Sequence, residues 1–139
     1  MLLRISLSLI ILLTAGNKSF SQIREFKMLL LEFTDNIIAG AYNEKFVYRR
    51  WRSRMVNAKN SRNVGRLLIR LEKNFNSGTM RSNWRNQQRH WENQLRNAES
   101  VSEIANALYR LEIGMNWSAT MGGWQNRRRL WVKKIQTLY

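Results

Sequence analysis

The feature that most constrains this chain is its similarity to itself at a spacing of 40 residues. Trp51, Trp91 and Trp131 are equally spaced, and Trp84 and Trp124 stand the same distance apart. Between these anchors the match runs without a gap. Asn57-Ala58 pairs with Asn97-Ala98, Leu68 with Leu108, and Arg70-Leu71-Glu72 with Arg110-Leu111-Glu112. Asn76 pairs with Asn116, Asn86 with Asn126, and Arg89 with Arg129, while Met55 with Leu95 and Val64 with Ile104 are conservative pairs. A fainter upstream copy sets Met28, Leu31, Glu32 and Asn36 in register with Leu68, Leu71, Glu72 and Asn76. A period of this length marks a supersecondary unit that cannot bury its apolar face alone and must pack on its neighbours.

Each unit reads as two helices and two short connections. Val64, Leu68, Leu71 and Phe75 fall at i, i+4, i+7 and i+11, one apolar stripe of a helix, and Ile104, Leu108, Leu111 and Met115 repeat it. Trp84, Trp91 and Leu95 make a second stripe, copied by Trp124, Trp131 and Ile135. The chain has no Pro and only 7 Gly, so little interrupts a helix. Breaks are expected near Gly40, Asn60-Ser61, Ser77-Gly78, Glu99-Ser100 and Gly122-Gly123, with Ser100 and Glu103 forming a capping box. Helices are predicted at about 23–39, 42–59, 62–76, 79–98, 101–116 and 120–138. The fold expected is all-α, a compact antiparallel bundle or short right-handed stack of two-helix repeats. Residues 22–139 form the single domain, with repeats at about 51–90 and 91–130 and the degenerate copy before 51. The Trp stripes are core, and Trp117, which lies outside them, is the candidate exposed aromatic.

The N-terminus has the pattern of a secretory signal. A basic start at Met1–Arg4 precedes the apolar Ile5–Leu13, and Ser19 and Ser21 suit cleavage before Gln22. The apolar run is shorter than the about 20 residues that span a bilayer. Residues 1–21 are therefore predicted to be removed and the protein secreted, or stored in a secretory vesicle such as an acrosome. There is no Cys, so packing alone must hold the domain.

Lys and Arg number 24 against 9 Asp and Glu, a formal net charge of +15. That balance concerns partners: an acidic glycoprotein or other extracellular polyanion, an anionic membrane or, less favoured for a secreted chain, nucleic acid. Arg62, Arg66 and Arg70 stand at i, i+4 and i+8 on one helix, and Arg81, Arg85 and Arg89 repeat the spacing on the next, with Arg96 near the same azimuth. Arg49, Arg50, Arg52 and Arg54 crowd a third helix, and Arg127, Arg128, Arg129, Lys133 and Lys134 crowd the last. Solubility alone would intersperse acids among them. Catalysis is not expected, since one His, one Asp and no Cys make neither a nucleophile site nor a metal ligand set, and no cofactor loop is present. Asn116-Trp117-Ser118 is an N-glycosylation sequon in a predicted loop.

Ile37-Ile38-Ala39-Gly40 followed by polar residues and Phe46, the apolar run Met28–Leu31, the region Asn83-Trp84 to His90-Trp91, and Tyr109-Arg110-Leu111-Glu112-Ile113-Gly114 carry a family resemblance. With the leader, the basicity and the absence of Cys, the chain resembles the gastropod sperm acrosomal proteins, which comprise the egg lysins and their fusagenic paralogue. The resemblance implies a non-enzymatic helical bundle with two basic tracks and a hydrophobic patch. Such a protein acts at fertilisation by binding an envelope glycoprotein of the egg stoichiometrically, or acts on the egg membrane in fusion. By their spacing, Arg62, Arg66 and Arg70 would be one track and Arg81, Arg85 and Arg89 the other. The Trp, Asn-Ala, Leu-x-x-Leu-Glu pattern is also similar to helical motifs of chromatin-remodelling proteins. A membrane-active antimicrobial protein and a nucleic-acid-binding Trp-repeat module therefore stay open as alternatives. So does a homodimer through an exposed aromatic patch.

Overall fold

The computed structural model describes residues 21–139; the leader expected over residues 1–21 lies outside them but for Ser21. Three helical hairpins follow one another. They are α1 (21–34) with α2 (Tyr48–Asn57), α3 (Ser61–Lys73) with α4 (Arg85–Arg96), and α5 (Val101–Gly114) with α6 (Trp124–Gln136). The fold is all-α, as expected, and no strand occurs among the described residues.

The odd-numbered helices are the apolar ones and form the inside. Phe26, Leu30 and Phe33 of α1, Val64, Leu68 and Leu71 of α3, and Ile104, Leu108 and Leu111 of α5 are all 0% exposed. Each set stands at i, i+4 and i+7, so three identical stripes converge on one core, and each side chain gains about 1.5–3 kcal/mol from burial. The first set revises the expected register. Met28 is 66% exposed, whereas Leu30 is buried where Leu68 and Leu108 are, so α1 matches α3 at a spacing of 38 residues. The two residues are lost from the connection to α2, since Tyr42 to Tyr48 replaces the longer Met80 to Gln88.

Each even-numbered helix lies over the seam between its own inner helix and the next, and its Trp locks it there. Trp51 Nε1 of α2 donates to Leu67 O of α3 at 2.7 Å, and Trp91 Nε1 of α4 to Ala107 O of α5 at 2.7 Å. Trp131 Nε1 of α6 returns to the start, donating to Leu29 O of α1 at 2.8 Å. The arrangement is thus a closed triangle, not the open stack that short connections also allow. Backbone bridges close it the same way. Tyr42 pairs with Phe75, Met80 with Met115, and Ile37 with Thr120. In each bridge the same two bonds form: Asn76 N to Ala41 O and Asn43 N to Asn74 O, Asn116 N to Thr79 O and Arg81 N to Gly114 O, Ile38 N to Ala119 O and Met121 N to Asn36 O.

These bridges explain why the helices are shorter than expected. Residues 35–47, 74–84 and 115–123 are committed to extended bridging segments and to 3₁₀ turns at Ala39–Ala41, Ser82–Trp84 and Trp117–Ala119. Asn76 Nδ2 donates to Gly40 O and Tyr42 O, and Asn116 Nδ2 donates to Gly78 O and Met80 O. The Asn116 amide is therefore a structural lock, and a glycan on Nδ2, replacing one of its two hydrogens, would remove at least one of these bonds. Half of the expected capping box forms: Ser100 Oγ accepts from Glu103 N at 3.3 Å, but the Glu103 carboxylate takes the Ser100 hydroxyl, at 3.0 Å, in place of the Ser100 backbone N–H, while Asn60 caps α3 through Asn63 N.

Candidate functional site

Because the Trp bonds fix the register of each even helix on the next odd one, the same groove is built three times with different side chains. In the α2–α3 groove, residues 50 and 54 face residues 66 and 70. Arg50, Arg54 and Arg70 line one depression with Lys45, Phe46 and Asn74; Arg54 and Arg66 line the next one along the same groove with Ser53 and Asn63. All four arginines are exposed. The two helices carry a single acid, Glu72, which is 5% exposed and turned to α4. Helix α2 also starts with Arg49 and Arg50, with no acid in its first turn and no side-chain cap. Cations at a helix N-terminus oppose its dipole, and like charges at i, i+4 oppose the helix by some tenths of a kcal/mol each. A bound anion relieves both, and guanidinium forks suit carboxylate, sulfate or phosphate oxygens.

The remaining basic residues are distributed differently from the two-track expectation. Arg62 continues the α3 track and is exposed, but that track is matched by Arg50 and Arg54 of α2 rather than by α4. The Arg81–Arg85–Arg89 track is broken, because α4 begins at Arg85 and Arg81 is extended (φ −64, ψ 155). Arg81 donates to Met115 O at 3.2 Å and stands over the Trp117 ring at 5.6 Å. Arg85 and Arg89 are exposed and share no depression with Arg62, Arg66 or Arg70. Arg96 lies 3.6 Å from Glu92. Arg49, Arg127, Lys134 and Leu130 are exposed, and Arg129 and Lys133 border a shallow depression with Trp117 and Val132. Trp117 is 54% exposed.

Two of the expected binding arginines are committed internally. Arg52 holds Asp35 through Nε at 2.9 Å and Nη2 at 3.0 Å, and Tyr48 donates to the same carboxylate. Desolvation raises the Asp35 carboxyl, but these bonds outweigh it and hold it below the usual value. Arg128 Nε reaches both oxygens of Glu112, at 2.9 and 2.7 Å, and the bond holds Arg128 above its ordinary pKa. Glu112 also accepts from Trp124 Nε1 at 3.2 Å.

The equivalent site between α3 and α4 lacks the guanidinium. Glu72 Oε1 accepts from Trp84 Nε1 at 3.2 Å and Gln88 Nε2 at 2.6 Å, while buried Oε2 has no donor among the described residues. Burial, together with the facing Glu92 carboxyl, raises the Glu72 carboxyl above the carboxylate range despite the Trp84 and Gln88 bonds. Sequence reasoning did not single out Glu72 and Glu112, although they are the one acid repeated inside the Arg-Leu-Glu match.

Among the described residues no helix is long and apolar enough to cross a membrane. The sequence model of a family described as a domain of unknown function (DUF8799) matches residues 62–120, from the first turn of α3 to the segment before α6. No curated protein and no solved structure matches the chain.

Proposed function

We propose that the protein is a non-enzymatic binder that takes a polyanion along the α2–α3 groove. The observation that carries this reading is the set Arg50, Arg54, Arg66 and Arg70, brought from two facing helices onto one groove with no exposed acid on either helix. The roles are electrostatic: Arg50, Arg54, Arg66 and Arg70 grip anionic groups, Lys45 extends the site at one end, and Arg62 does so at the other. With the leader expected at residues 1–21, the partner is an acidic extracellular glycoprotein or glycan, and an egg-envelope glycoprotein met by a secreted sperm protein is the instance the family resemblance supplies.

The test is heparin binding measured by calorimetry across a salt series. Replacing Arg50, Arg54, Arg66 and Arg70 by Ala is expected to weaken binding by about tenfold or more and to flatten the dependence on salt, since fewer counterions are released. A control variant that removes the same charge at Arg49, Arg89, Arg127 and Arg129 is expected to lose much less. Equal losses in the two variants would mean a diffuse cationic surface and would defeat the groove assignment. A second reading, action on an anionic membrane, draws on Trp117, which is exposed beside Arg81, Arg129 and Lys133. It predicts leakage of anionic vesicles that Trp117→Ala abolishes; intact vesicles at saturating protein would exclude it.

A further inference from the structure

The groove that carries four arginines between α2 and α3 has a counterpart between α4 and α5 in which three of the four are replaced by other side chains. His90, Gln94 and Asn106 stand where Arg50, Arg54 and Arg66 stand, in the register fixed by the Trp51 and Trp91 bonds. Arg110, the counterpart of Arg70, stands at the edge of the groove and is paired there, donating to Gln94 Oε1 at 2.8 Å. What remains is an open depression of about 580 Å³. Its lining holds Asn93, Gln94, Asn106, Glu103, His90 and Tyr139, and no Lys or Arg, in a chain with 24 of them.

Its hydrogen-bonding groups are largely free. The side chains of Asn93, Asn106 and His90 make no bond to another described residue, and the Gln94 amide keeps both N–H donors. The Glu103 carboxylate offers a second acceptor oxygen beyond its Ser100 bond. Amides present donor and acceptor side by side, as each hydroxyl of a sugar does, so a row of amides matches a polyol without net charge. Tyr139, 41% exposed and 6.2 Å from the Tyr109 ring, adds an aromatic face beside them. Such a face packs against the C–H side of a pyranose ring, whose hydrogens are weakly positive, as the ring face is negative. A polyanion is disfavoured by the Glu103 carboxylate, and a purely apolar ligand would leave the amides desolvated and unpaired.

We propose that the α4–α5 groove is a binding site for a neutral oligosaccharide, with the Asn93, Gln94 and Asn106 amides pairing ring hydroxyls and Tyr139 stacking on a sugar face. This site is separate from the polyanion groove, so it stands or falls independently of it. The test is an amide-resolved NMR titration of the protein in about 0.5 M NaCl, where exposed charge interactions are screened. The probes are triacetylchitotriose and maltotriose. Saturable shifts confined to residues of α4, α5 and the C-terminal turn are expected with at least one of them, at millimolar affinity. Asn106→Ala and Tyr139→Ala, and Asn93→Ala as a third variant, should each weaken binding by several-fold, with unchanged spectra elsewhere. The variant lacking Arg50, Arg54, Arg66 and Arg70 should bind as the parent does. Shifts with neither sugar, shifts centred on α2–α3, or affinities untouched by all three variants would overturn the assignment.

Discussion

The α3–α4 and α5–α6 hairpins are built on one plan and differ in how each neutralises a buried glutamate. Trp84 meets Trp91 edge-on at 5.4 Å and 66°, and Trp124 meets Trp131 at 5.4 Å and 68°. Each first indole donates at 3.2 Å to a glutamate one helix away. In α5–α6 that glutamate is closed by Arg128, with Val132 a turn further on. In α3–α4, Gln88 and Glu92 occupy those positions, so a buried carboxyl faces a second acid instead of a guanidinium. The first hairpin solves the same problem without a buried charge, as Thr34 and Tyr48 share a hydrogen bond at 2.8 Å. The geometry of the unit is therefore set by the Trp51, Trp91 and Trp131 bonds and the backbone bridges, which all three hairpins share, while the polar contact between its two helices is free to change chemistry.

That contrast can be broken most forcefully at Arg128. Arg128→Ala leaves Glu112 buried and uncompensated, and a loss of about 3–5 kcal/mol in denaturant unfolding is expected; a loss below 1 kcal/mol would show that water reaches the site. Next comes the closest approach of each pair. A methyl on Gly65 would lie 2.8 Å from Leu95 O, so Gly65→Ala should cost about 1–3 kcal/mol, although Ala105 occupies the matching place in α5. No change in melting temperature would show that α4 shifts freely. Gln88→Arg supplies the missing guanidinium and should add about 1–2 kcal/mol at neutral pH, read by the same unfolding curves; destabilisation would show that the two sites are not interchangeable.

The smallest effect concerns pH. A carboxyl raised on folding contributes stability that is complete below its ordinary value of 4.5 and is lost as the pH rises through its higher folded value. Glu72→Gln should therefore flatten the decline in stability between those two values without changing the acid limb. A thermal-melt series whose slope is identical in parent and variant would remove the buried acid from the account.

Much of the fold was legible because its signals are local. The stripes at Val64–Leu71 and Ile104–Leu111 and the 40-residue Trp spacing announce amphipathic helices whatever their neighbours. Legibility failed wherever the deciding partner is distant. Nothing near Ile38 says that it will pair with Ala119, so the first two helices are expected to reach residue 39 and to start at residue 42, inside the segment 35–47 that the bridge takes. Nor does local spacing reveal the two-residue shift that exposes Met28 and buries Leu30. The candidate groove was half visible. The α3 arginines show as a track, but their partners on α2 follow only from the Trp51 bond, and Arg52 and Arg128 look as free as Arg54 until Asp35 and Glu112 are found beside them.

The return of Trp131 to Leu29 also bears on how the chain reaches this state. The two earlier Trp bonds span 16 residues, and this one spans 102. Bringing such distant ends together costs about 1.6 kcal/mol more in chain entropy than the short closures, by the logarithmic scaling of loop length. The neighbouring hairpins can therefore dock early, with the seam between the last helix and the first as the late and slower event. In an open array each unit adds its own increment of stability. Here the third seam has no independent existence: Phe33, with ring centroids 5.5 Å from Trp124 and 5.6 Å from Trp131, packs in it beside the Trp131–Leu29 bond and the Ile37–Thr120 bridge, so weakening Phe33 would loosen the closure on which the cooperativity of all three units depends.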